Sequence, residues 1–140
     1  MKLKVGRTDV WAATVEDRPG AAADKLEALA AAGANLEFIV GRRAPEQEGS
    51  GVLFVTPIKG AKQVKAAQAV GFKRTDTLHS VRIEGSDKPG LGAQMTKALA
   101  ASGINLRGIS AAALGKSFVT HLALDSDSDA ARAASILKKL

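Results

Sequence analysis

The sequence repeats itself 70 positions on: Asp17-Arg18-Pro19-Gly20 returns as Asp87-Lys88-Pro89-Gly90, and Gly33-Ala34-Asn35-Leu36 as Gly103-Ile104-Asn105-Leu106. Positions 17–39 align with 87–109 without a gap, and 12 of these 23 residues are identical. Self-similarity at a fixed period means two copies of one structural unit. A unit of this size buries proportionally little surface, so the copies are expected to fold as a fused pair.

Within each copy the apolar pattern changes period in the same order. Trp11, Ala13 and Val15 alternate as a first strand, as do Val81 and Ile83. Pro19 and Pro89 suit the first turn of a helix, with Asp17 and Asp87 just upstream at its positive end. Ala22, Ala23, Leu26, Leu29 and Ala30 then form one apolar helical face, and Leu91, Met95, Ala98 and Leu99 its counterpart. Gly33 and Gly103 end these helices. Second strands are expected at 36–40 and 106–110, third strands at 52–55 and 118–124, and second helices at 61–70 and 129–139.

A ferredoxin-like βαββαβ unit needs one more strand, and residues 72–78 supply it in the first copy. The second copy ends in helix. Residues 2–8 occupy the register that a last strand would need, so the N-terminal strand is expected to complete the second unit, within the chain or by exchange between chains. The fold class is therefore α+β: two βαββαβ modules with antiparallel sheets and helices on one face, spanning 9–78 and 79–140 with 2–8. The short joints predict long strands running from one sheet into the other, at 2–15 and around 78–81.

A strand, Asp-x-Pro-Gly, a helix, Gly-x-Asn-Leu and a further strand inside such a unit resemble the ACT domain, a regulatory module that senses amino acids and other small metabolites. The resemblance covers both repeats, and a chain of two such units resembles the stand-alone tandem ACT proteins. It implies a non-catalytic regulator that binds an amino acid or similar metabolite in the groove between modules and acts on a partner enzyme or regulator. Residue chemistry supports an anion site, because a helix start offers unpaired N–H groups and a positive dipole end. Gly20 and the run Gly90-Leu91-Gly92 admit a close approach of ligand or of neighbouring backbone. By resemblance Asn35 and Asn105 face the ligand, or else close the loop beneath the helix. Asp17 and Asp87 meet an ammonium group, or cap the helix. Serine-sensing members carry a His four positions before the Pro; Val15 and Gly85 stand there in this chain.

Other function classes lack their residues. There is no Cys and there are two His, so neither a metal centre nor a nucleophile arrangement is present, and no cofactor is implied. The net charge is +6, yet acidic and basic residues alternate along the chain. Phe and Trp total five and Tyr is absent, which argues against an RNA-recognition surface built from base-stacking aromatics. No apolar leader or membrane-length apolar run occurs, so a cytoplasmic protein is expected. Val10, Ala12 and Thr14 are weakly polar where the second copy has Ser80, Arg82 and Glu84, which predicts a covered sheet face and a homodimer.

Overall fold

The computed structural model describes residues 2–75 and 78–140. The chain divides into two compact units, Asp9–Thr75, and Met1–Thr8 together with Asp76–Leu140. The first contains β2 (Trp11–Glu16), α1 (Ala21–Ala31), β3 (Phe38–Arg43), β4 (Ser50–Thr56), α2 (Gly60–Ala69) and β5 (Lys73–Arg74). The second contains β1 (Lys4–Thr8), β6 (His79–Ser86), α3 (Leu91–Ala101), β7 (Gly108–Leu114), β8 (Ser117–Leu124) and α4 (Asp127–Lys138).

Each unit holds one four-stranded antiparallel sheet, ordered β3-β4-β2-β5 in the first and β1-β6-β8-β7 in the second. Counted from the first strand of each repeat, both orders are the ferredoxin-like one, with the N-terminal strand β1 in the place of the sixth element. Val5 lies opposite Ile83 in that ladder. Arg7 Nη2 also donates to Asp127 Oδ1 at 2.6 Å, tying β1 to the start of α4.

The core of the first unit gathers Trp11, Ala13, Leu29, Leu53, Val55, Ala67 and Phe72. That of the second is larger, with Val81, Ile83, Leu91, Met95, Leu99, Leu122, Leu124 and Leu137 among its members and Leu3 of the N-terminal segment packed in.

Several boundaries differ from the sequence reading. Pro19 and Pro89 stand outside the helices. Gly20 has φ 89° and ψ −12°, Gly90 φ 81° and ψ 4°, and the Ala21 and Leu91 N–H groups donate to the Arg18 and Lys88 carbonyls at 3.3 Å. That is a type II turn, with Pro second and Gly third, and a residue at positive φ cannot sit inside the helix it precedes. The helix α1 buries Ala21 and Leu29 while Ala22, Ala23 and Ala30 are exposed. Alanines carry too little apolar area to fix the inward face, whereas the larger side chains of Leu91, Met95 and Leu99 fix it in α3.

The strands β3 and β7 begin two residues later than expected. The Ala34 and Ile104 N–H groups return to the Leu29 and Leu99 carbonyls, so Gly-x-Asn-Leu is spent on leaving the helix. The helix α4 begins two residues early because Ser126 Oγ accepts from the Asp129 N–H at 3.0 Å and caps it. The expected strand 2–15 is two strands in different sheets, interrupted at Asp9 and Val10, whose carbonyls accept from Thr56 Oγ1 and the Thr75 N–H. Of the expected strand 72–78, Lys73–Arg74 pairs with β2, while Asp76 and Thr77 lie outside the described residues.

Candidate functional site

The type II turn aims the start of α1 at the neighbouring ends of β2, β3 and β4. No side chain caps α1, and Asp17, expected as a cap or an ammonium partner, instead accepts from Arg43 Nε at 2.9 Å. The Arg18 guanidinium donates to Glu16 at 2.7 Å and to Asp24 at 3.3 Å, Glu16 being the larger cause that raises its pKa above the ordinary arginine value. Two arginines thus flank the turn, each held by carboxylates.

Beside the turn lies a cavity of about 190 Å³ lined by Val15, Glu16, Asp17, Arg18, Ala21, Ala22, Gly41, Arg42, Arg43, Gly51, Val52 and Leu53. Two strand glycines border it. Gly51 stands opposite Val15, and a Cβ on Gly51 would come within 2.8 Å of the Arg42 carbonyl oxygen and 3.2 Å of the Val15 side chain. Gly41 faces Leu53 on the adjacent strand. In the second unit the same cross-strand pair is Gly85 opposite Phe118, so the glycine and the larger residue exchange strands.

The sequence-derived residues fall in different places. Asp17 lines the cavity, and Gly20 forms the turn at its edge. Asn35 is exposed beyond the far end of α1, and an 11-residue helix spans roughly 16 Å. Within one unit, then, Gly20 and Asn35 do not touch the same small molecule. Asn105 is exposed and its Oδ1 accepts from the adjoining Leu106 N–H at 3.0 Å, the loop-closing arrangement. Leu91 is a core residue, 2% exposed, so only its backbone can face a ligand. Gly90 and Gly92 have open space where a Cβ would stand. The Asp87 N–H donates to the Lys116 carbonyl, and its side chain does not cap α3. Gly41 and Gly51 were not singled out from sequence, and Arg42 and Arg43 read there as a solvated charged face. Glycine inside a strand is the signal that marks the two glycines, since it permits close approach there.

The arrangement offers uncapped helix N–H groups, guanidinium groups and two carboxylates around a void of small-metabolite size. It can hold a zwitterion. Among the described residues no group of three or more His, Cys, Asp or Glu is placed to hold a metal, and no helix is long and apolar enough to cross a membrane.

No protein-family model matches the sequence, and no curated protein matches it. Among solved structures, protein BT0572 from Bacteroides thetaiotaomicron matches with a TM-score of 0.78 and 20% identity, covering 96% of this chain and 89% of its own. The ligand-free regulatory subunit of aspartate kinase from Thermus thermophilus matches with 0.67 and 18%, covering 99% and 96%. That of Thermus flavus matches with 0.59 and 17%, covering 96% and 95%. The chain has the tandem ACT fold. The likeness is one of architecture and runs almost end to end, so both units of the tandem ACT fold have counterparts in proteins described as regulatory subunits.

Proposed function

We propose that this chain is a non-catalytic regulatory protein that binds an amino acid or a similar zwitterion at the start of α1. The α-carboxylate lies on the N–H groups of the first helical turn, where the dipole favours negative charge. Arg42 and Arg43 add positive potential, and Asp17 receives the ammonium group. The side chain enters the cavity on the side lined by Gly41 and Leu53. The observation that carries this reading is that void, next to an uncapped helix start. The fold it shares with aspartate kinase regulatory subunits supports a regulatory role. Binding then favours one conformation over others and changes contacts with a partner enzyme or regulator.

A thermal-shift screen against the twenty amino acids tests the proposal. A ligand at 100 times its dissociation constant stabilises by roughly 2.7 kcal/mol. The expected result is a shift with one amino acid or a few related ones. A folded protein that responds to none refutes the reading and leaves a pair of modules that binds other proteins.

A further inference from the structure

The cavity at the start of α1 is sorted by polarity, and the sorting limits what kind of side chain it can take; this inference rests on the amino-acid reading above. Gly41, Leu53, Gly51 and Val15 stand on the sheet face that Leu53 and Leu29 of α1 bury together. Arg42 and its partner Val52 alternate to the opposite face, so they give the cavity backbone. The other charged groups lie at the turn and on the adjoining rung of the ladder, where Arg43 stands beside Gly51. They are already paired: Arg43 Nε donates to Asp17 at 2.9 Å and Arg18 Nε to Glu16 at 2.7 Å. The rung of Gly41 and Leu53 is two residues farther on, about 7 Å away, and carries no charge. Leu53 is 3% exposed and Ala21 5%, so the wall there is buried hydrocarbon. Among the described residues that line the cavity there is no Ser, Thr, Asn, Gln or Tyr.

We infer that the ligand is an amino acid with a short branched hydrocarbon side chain: valine, leucine or isoleucine. With its carboxylate on the first helical turn and its ammonium group at Asp17, its side chain extends along the sheet toward Gly41 and Leu53. A hydroxyl or amide there meets no side-chain partner, and burying it unpaired is unfavourable. A carboxylate or ammonium at that end is costlier still, because the charged groups that could answer it are engaged with one another at the turn. Hydrocarbon, in contrast, gains with every part of its area that leaves water. Size narrows the choice from both sides. The cavity of about 190 Å³ has the room of roughly six waters, so an aromatic amino acid overfills it and alanine leaves much of it empty.

The test is calorimetric titration of the full chain with L-valine, L-leucine, L-isoleucine, L-threonine, L-aspartate, L-lysine and L-phenylalanine. The tightest of the three aliphatic amino acids is expected to bind at least tenfold better than any of the other four. Threonine is the sharpest comparison, because it matches valine in shape and differs by one hydroxyl; it should bind about tenfold to a hundredfold more weakly than valine. A second measurement places the preference. Gly41→Ala sets a methyl group 3.4 Å from Leu53 Cδ1, and with an unchanged circular dichroism spectrum it should weaken leucine and isoleucine by a larger factor than valine. Tightest binding by threonine, aspartate, lysine or phenylalanine overturns the inference and leaves the amino-acid reading standing. Affinities that Gly41→Ala does not alter overturn it as well, since the preference is then set elsewhere. A folded chain that binds none of the twenty amino acids refutes that reading and this inference with it.

Discussion

The Leu3 side chain fills the space that a side chain at position 85 would need: a Cβ on Gly85 would lie 2.6 Å from Leu3 Cδ2. Through this contact the N-terminal segment enters the core of the second unit. Gly85→Val is expected to overpack it, lowering stability by about 1–3 kcal/mol. Leu3→Ala costs roughly 2 kcal/mol by leaving a void. Combined, the two changes should cost less than their sum, because each relieves the other. Urea denaturation of the four proteins in a double-mutant cycle measures this coupling, and strict additivity would rule it out.

Acid should loosen the other tie of β1. The Arg7 guanidinium beside Asp127 holds that carboxyl below its ordinary value, first by its hydrogen bond and then by its charge, and Arg82 does the same to Glu84. Such groups bind fewer protons folded than unfolded. Their stabilisation is complete above the unfolded values near 4 and is lost as pH falls through the lower folded ones. Urea midpoints should therefore drop on acidification below about pH 4, and Asp127→Asn should flatten part of that slope. A wild-type slope retained in full by the variant would contradict the assignment.

Three glycines near the helix starts should respond differently to alanine. Gly20 and Gly90 sit at positive φ, so Gly20→Ala and Gly90→Ala should each destabilise by about 1–2 kcal/mol. Gly92 lies in the first turn of α3 with open space around it, and there alanine should stabilise by up to about 1 kcal/mol. Melting temperatures of the three variants decide the matter.

Filling the cavity should separate binding from folding. At Gly41 a Cβ meets only Leu53 Cδ1, at 3.4 Å, and the strand is an edge one. Gly41→Val is therefore expected to leave the free protein's melting temperature near wild type and to weaken amino-acid binding at least tenfold, or about 1.4 kcal/mol. Calorimetric titration with the amino acid found in the screen reads both. Undiminished affinity would move the ligand elsewhere.

The fold was legible because its signals are local or periodic: the repeat, the alternation around Trp11 and Val81, and the glycines after each first helix. Even the displacement of the last strand to the N-terminus showed, since 2–8 repeats the register of 72–78. The Pro19-Gly20 turn was misread because Pro is equally at home in a first helical turn and as second residue of a type II turn. Only the backbone angle at Gly20 separates these. The cavity was hidden for a different reason. Its walls come from three strands and a helix start, with Gly41 opposite Leu53 and Gly51 opposite Val15, and cross-strand partners depend on register, which no single segment records.

The borrowed strand makes the two halves unequal at birth. The chain from Asp9 to Thr75 can close its own sheet as soon as it leaves the ribosome, because all its strands are contiguous. The segment before it emerges earlier yet has no ladder to join until β6 appears about seventy residues later. Through that interval Leu3 and Val5 are unsheltered. A nascent chain of this kind is open to pairing with a neighbour's β6, and the first eight residues are where chaperone binding or strand exchange would begin.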